Sequence, residues 1–168
     1  MTMKPINIYL IITIVLAGCK QKQKKENFQY ERVQENSSEV IQNNDIQNTV
    51  ILNSNDAMLF DKKVIKVNYG EKITLTLNHV GKIGKDFMGH NFVLLKKGVD
   101  VDAFAQRAIL ARDNEYIPEG DEIIVTTKML GGGESDTIVF DAPEPGKYIF
   151  ICTFPGHYQL MRGEFIVI

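Results

Sequence analysis

The run Cys152-Thr-Phe-Pro-Gly-His157-Tyr-Gln-Leu-Met161 places a thiolate donor, an imidazole donor and a thioether donor on one short stretch of chain. Few chemistries want all three so close together. Two histidines and a cysteine in a trigonal plane, with a weak and long axial methionine, form the ligand set that holds electron-transfer copper. The loop supplies three of those four donors. The second imidazole must come from a short inventory, because the chain has three histidines in all: His79, His90 and His157. His90 is the candidate. It stands in Met88-Gly89-His90-Asn91, at the head of the apolar run Phe92–Leu95, where a sheet would hold it. Firm placement matters because copper changes oxidation state in each transfer, and a scaffold that moves little keeps the reorganisation cost low.

The elements that must position these donors read as short strands. Tyr148–Ile151 delivers Cys152 at its end, and Pro155-Gly156 turns the chain back so that His157 reaches the same ion. Candidate strands are Thr49–Leu52, Lys63–Val67, Lys72–Asn78, Asn91–Leu95, Glu122–Lys128, Asp136–Phe140, Lys147–Cys152 and Glu164–Ile168. In the third of these, Ile73, Leu75 and Leu77 alternate with Thr74 and Thr76, the period of a half-buried strand. Gly81 and Gly84, Gly131–Gly133 and Pro143–Gly146 punctuate the runs. The pattern predicts an all-β sandwich or barrel of about eight strands. One segment departs from it. Val101, Phe104, Ala105, Ala108 and Ile109 recur at helical spacing behind Asp100 and Asp102, either of which can cap the start. The spacing predicts one short inserted helix, expected across an open end of the sandwich.

A formal net charge of −2 argues against nucleic acid as a partner. The N-terminus reads as a leader and not as part of the fold. A positive start at Lys4 precedes an apolar stretch from Ile6 to Leu16, shorter than the roughly 20 residues a membrane-spanning helix needs. It ends in Leu16-Ala17-Gly18-Cys19, which resembles the lipobox of bacterial lipoproteins. That resemblance implies cleavage after residue 18 and a lipid on Cys19; an ordinary secretory signal with a chance cysteine is the alternative. Lipid on Cys19 leaves Cys152 unpaired in an exported protein, and metal ligation is the economical use for such a thiol. Residues 19–45 then read as a tether. Lysines 20, 22, 24 and 25 are followed by Glu, Gln, Asn and Ser with few apolar residues, either solvated linker or a contact for anionic headgroups. Residues 46–168 form the domain.

Across most of that domain the chain resembles the azurins, a cupredoxin family. The resemblance rests on Asn55-Asp-Ala-Met58, Asn78-His-Val-Gly81, Met88-Gly-His-Asn91, Thr127-Lys-Met-Leu-Gly131 and the whole Cys152–Met161 loop, in the family's order and nearly its spacing. It implies a Greek-key β-sandwich holding one type 1 copper ion. By position, His90, Cys152 and His157 match the three equatorial ligands, Met161 the axial one and Gly89 the glycine whose carbonyl approaches from the opposite side. Asn91 matches an asparagine that ties the ligand segments together. Met58, Met88, Phe154 and Gly156 match the apolar surface around an exposed histidine, the expected route for electrons. His79 matches a non-ligand histidine. The family's structural disulfide would fall near Asn48 and Gly70 and is absent, its core tryptophan position is Phe92, and Tyr158 and Gln159 replace smaller residues beside His157.

The resemblance also implies a carrier of single electrons with no substrate turnover. Its expected partners are redox proteins such as c-type cytochromes or a terminal reductase or oxidase, met in weak encounters. The expected location is the periplasm, on the membrane through Cys19, the outer membrane preferred because Lys20 is not the aspartate associated with inner-membrane retention; a monomer is expected. The alternative is copper storage or delivery, but such proteins favour Met-rich or multi-Cys exposed sites. A catalytic zinc site needs an open coordination position. A copper nitrite reductase needs further histidines, and a binuclear centre needs a second loop cysteine; the chain offers neither.

Overall fold

The computed structural model describes residues 48–168. The expectations for the leader, for Cys19 and for the tether lie outside those residues.

Strict alternation builds the first strands. In order they are β1 (Thr49–Asn55), the two-residue β2 (Leu59–Phe60), β3 (Val64–Val67) and β4 (Lys72–His79). Then come a one-turn helix α1 (Lys85–Met88), β5 (Val93–Leu95), helix α2 (Val101–Leu110), a 3₁₀ turn at Arg112–Asn114, and β6 (Ile123–Thr126). The chain finishes with β7 (Ser135–Asp141), β8 (Gly146–Ile151) and β9 (Arg162–Val167). They pair as two sheets, β2-β1-β4-β7 and β3-β9-β8-β5-β6. β1 runs parallel to β4, and β3 parallel to β9; the remaining pairs are antiparallel. The eight expected strands are all present, and β2 is a ninth that two residues were too few to signal.

The alternating faces meet between the sheets. Leu52, Ile73, Leu75, Leu77, Phe92, Leu94, Phe150 and Phe165 are all fully buried there. Phe150 is central, its ring 5.6 Å from that of Phe60 and 5.3 Å from that of Phe92. Phe150→Ala is therefore expected to cost about 3–5 kcal/mol. That is a large part of the roughly 5–15 kcal/mol that holds a domain folded. A denaturant melt checks it, and a midpoint near wild type would show that this core collapses to fill the gap.

Helix α2 is where expected, but its packing is not. Asp100 is the cap, its Oδ1 accepting from Asp102 and Ala103 N–H at 3.0 and 3.1 Å. Phe104 joins Val93, Leu95 and Ile151 in a second cluster. Those strand residues face away from Leu94 and Phe150, so the helix covers the outer face of the five-stranded sheet and not an open end of the sandwich. The reason is the apolar outer face of β5: all three of its residues are buried, and something must cover the side turned from the core. At Asn48, near which the resemblance would place a disulfide, hydrogen bonds tie the strands. The Asn48 side chain accepts Asn68 N–H at 3.2 Å and its carbonyl accepts Thr74 N–H at 2.8 Å.

Candidate metal centre

Strand register brings the donors to one pole. Val93 pairs with Ile151 in antiparallel strands, so the residues before β5 lie beside those after β8. That sets His90 next to Cys152. Ile151 also pairs with Arg162, which closes the Cys152–Met161 loop, and Cys152 N–H donates to Met161 O at 2.9 Å. Inside the loop, His157 N–H donates to Phe154 O at 3.0 Å and Met161 N–H to His157 O at 2.7 Å. Gly156 sits at φ +82°, a left-handed turn where a side chain would be strained. His90 is pinned separately, by a two-bond bridge to Leu130 at 3.0 and 2.8 Å.

His90, Cys152 and His157 form the one such metal-competent group among the described residues, with donor atoms all within 4.8 Å of one another. Cys152 Sγ lies 4.0 Å from His90 Nδ1 and 3.8 Å from His157 Nδ1. An ion with bonds of about 2.0 Å to nitrogen and about 2.3 Å to sulfur in a trigonal plane separates the two by about 3.7 Å. The trio fits a metal with little adjustment. The far nitrogen of His90, Nε2, is 2.9 Å from Asn55 O. A carbonyl can only accept, so Nε2 carries the proton and Nδ1 keeps its lone pair for the site. Gly89 O lies 3.7 Å from Cys152 Sγ, and Met161 is fully buried at the end of the loop. Gly89 has no room for a side chain: a Cβ would come within 2.7 Å of Phe154 and 2.8 Å of the Lys85 carbonyl.

Burial sets the charge states of the metal-free site. It pushes the Cys152 thiol up to about 12, against the opposing Asn91 and Phe154 amides. His90 falls to about 4, through burial first and the neighbouring His79 second, with the Asn55 carbonyl opposing. His157 also falls to about 4, again by burial and then His79. Neutral imidazoles are ready ligands, whereas the thiol must lose its proton to the arriving metal.

The other residues singled out in the sequence take varied places. Asn91 is buried and clasps Thr153, with Nδ2 donating to Thr153 Oγ1 at 2.7 Å and Oδ1 accepting Thr153 N–H at 2.8 Å. Asn91→Ala leaves that buried amide without a partner, a cost of about 1–3 kcal/mol. Loss of such support is also expected to weaken copper binding about 10–100-fold. Thermal melting with a competitive copper titration checks both, and an unchanged affinity would make the clasp purely structural. Met58, Met88 and Phe154 are half-buried and Gly156 exposed. His157 departs from the sequence reading, for it is 3 % exposed. The Phe154 ring, 4.7 Å away, covers it, so the loop is exposed while its histidine is nearly hidden. His79 stays outside the donor group: it is buried, 3.2 Å from Asp56 Oδ1, with its ring 4.3 Å from that of His90. Three contributors escaped the sequence: the Asn55 carbonyl, Leu130 and Thr153. The first two act through the backbone, which carries no side-chain signal, and the Thr153 hydroxyl meets an amide 62 residues away.

A two-sheet sandwich with a buried His–Cys–His group at one pole defines a cupredoxin. Residues 46–168 match the copper-binding proteins of the plastocyanin/azurin family, and the chain belongs to that family. It is 44% identical over 114 residues to the azurin of Bordetella pertussis, a match covering 64% of this chain and 75% of that one. It is 39% identical over 120 residues to azurin-1 of Alcaligenes xylosoxydans xylosoxydans, covering 68% and 93%. A solved structure of dithionite-reduced auracyanin from the photosynthetic bacterium Roseiflexus castenholzii matches with a TM-score of 0.67 at 38% identity, over 73% of this chain and 98% of that one. The cofactor is one copper ion, and the protein is an electron-transfer protein and not an enzyme.

Proposed function

We propose that the chain carries single electrons between redox proteins by cycling one copper between Cu(I) and Cu(II). His90, Cys152 and His157 would hold the ion together with Met161 and the Gly89 carbonyl, and Asn91 would fix the Cys152 segment. The observation that carries this reading is the convergence of both histidine Nδ1 atoms on one buried thiol. Copper supplies the one-electron chemistry. The chain supplies a dry site, a fixed His90 tautomer and a short path outward at His157.

Electrons leave past His157 through the surface of Met58, Met88, Phe154 and Gly156. Phe87, 81 % exposed beside Met88, extends that apolar surface. The partners are redox proteins such as c-type cytochromes or a terminal reductase or oxidase. The carrier works as a monomer in the periplasm, held on the outer membrane by a lipid on Cys19 with residues 20–45 as tether. Among the described residues no helix is long and apolar enough to cross a membrane.

The test mixes reduced, copper-loaded protein with an oxidised c-type cytochrome in a stopped-flow instrument. One electron per copper, at a rate that falls when Met58 or Met88 becomes charged, is the expected result. Copper passing intact to an acceptor protein without electron transfer would favour storage or delivery instead.

A further inference from the structure

Glu115 and Tyr116, neither a glycine, hold consecutive left-handed backbone conformations, with φ of 50° and 62°. Such conformations persist where the surroundings over-determine them. Here the turn is locked by Glu115 N–H donating to Arg112 O at 3.2 Å, Tyr116 N–H to Ala111 O at 2.9 Å, and Asn114 Nδ2 to Ile117 O at 2.8 Å. What the turn presents is aimed at the metal centre.

Glu115 reaches the His90 side. Its Oε2 accepts Met129 N–H at 3.1 Å and its Oε1 accepts Lys85 Nζ at 3.0 Å. Met129 precedes Leu130, the bridge partner of His90, and its sulfur packs against Gly89 so closely that a Cβ there would come within 2.9 Å. Lys85 opens α1, the turn that leads directly into Gly89 and His90. Tyr116 reaches the His157 side. Its ring meets Phe154 edge-on at 5.3 Å, and Phe154 in turn lies 4.7 Å from the His157 ring.

We propose that Glu115 and Tyr116 are positioning residues for the copper site, Glu115 bracing the Gly89–His90 segment and Tyr116 bracing Phe154 and His157. One strained turn thereby fixes both histidine segments relative to each other while touching neither ligand. The proposal rests on the reading that His90 and His157 hold the ion. It explains why two side chains tolerate a backbone conformation that glycine would adopt freely: the carboxylate and the ring are what the turn exists to place.

The experiment compares Tyr116→Ala, Tyr116→Phe, Glu115→Ala and Glu115→Gly in the full chain. Copper-loaded protein is read by electron paramagnetic resonance and the visible thiolate band, and metal-free protein by NMR relaxation of the His157 ring. Tyr116→Ala and Glu115→Ala are expected to weaken copper binding about 10-fold and to alter the copper hyperfine pattern. Tyr116→Ala also broadens the His157 ring signals, while Tyr116→Phe restores every readout. Glu115→Gly is expected to behave like Glu115→Ala, because relieving the backbone does not replace the carboxylate. A Tyr116→Ala protein with a lower melting temperature but unchanged resonance spectrum, affinity and ring signals would overturn the proposal. If Tyr116→Ala does not fold, Tyr116→Leu, which keeps bulk but not the stacked ring, is judged by the same readouts. A wild-type protein without a blue site would defeat the copper reading alone, and the metal-free His157 signals would still decide the brace.

Discussion

Cys152→Ser is expected to abolish the intense visible absorption of the copper-loaded protein and, with it, electron transfer. The band needs a thiolate bonded to copper, and a serine hydroxyl is neither soft nor deprotonated at neutral pH. Losing a residue that merely supports a ligand weakens metal binding 10–100-fold, so losing the central ligand is expected to cost more than about 100-fold. The fold should survive, because serine is only slightly smaller than cysteine and overpacks nothing around the site. A wild-type-like melt of the metal-free variant with a colourless copper complex is the signature. A variant that stays blue would remove Cys152 from the site. The wild-type protein offers a matching measurement. With the thiol held up at about 12 and both imidazoles neutral at pH 7, copper uptake should release one proton per ion. Potentiometric titration in weak buffer counts it, and two or none would contradict the assignment.

Stability of the metal-free protein is expected to depend steeply on pH, with a plateau from about pH 6.5 to 9. His90 and His157 titrate near 4 in the folded chain against 6.5 when unfolded. Between those values the unfolded state binds more protons. Stability is therefore full above pH 6.5 and is lost as pH falls through 4, on the order of 3 kcal/mol for each histidine. Cys152 works in the opposite sense, since its folded value of about 12 exceeds the unfolded 9.0. Above pH 9 the unfolded state sheds a proton that the folded state keeps, so stability falls again toward 12. Within its binding range copper reverses the alkaline effect and steepens the acid one. It favours the neutral imidazoles and the thiolate, and it stabilises only the folded chain. Urea melts with and without copper, run from pH 4 to 10, check this. A flat metal-free profile would mean that the donors are hydrated in solution and not buried as the structure has them.

Much of this was legible along the chain because the informative patterns are local. Ile73, Leu75 and Leu77 alternate within one strand, and all are fully buried. The Asp100 cap and the Phe104–Ala108 stripe belong to one helix. The three donors of the Cys152–Met161 loop lie close in sequence. Helix α2 shows the limit of such reading. Its own stripe says which of its residues are covered, but only the apolar outer face of β5 decides what covers them. His157 shows the same limit at the site: its loop reads as exposed, yet the Phe154 ring hides the imidazole.

The sequence by itself determined the donor set, the metal those donors suit, and the alternation that makes two sheets inevitable. Each is a matter of residue type and short spacing. Only the tertiary structure decided the rest. It put Nδ1 of His90 and of His157 on one sulfur, set the His90 tautomer through a carbonyl 35 residues away, and clasped Asn91 to Thr153 across 62 residues. It also turned Glu115 and Tyr116 toward the two histidine segments. Those contacts depend on strand register and on where one sheet crosses another. A sequence records the faces of its strands but not the partner each face will meet.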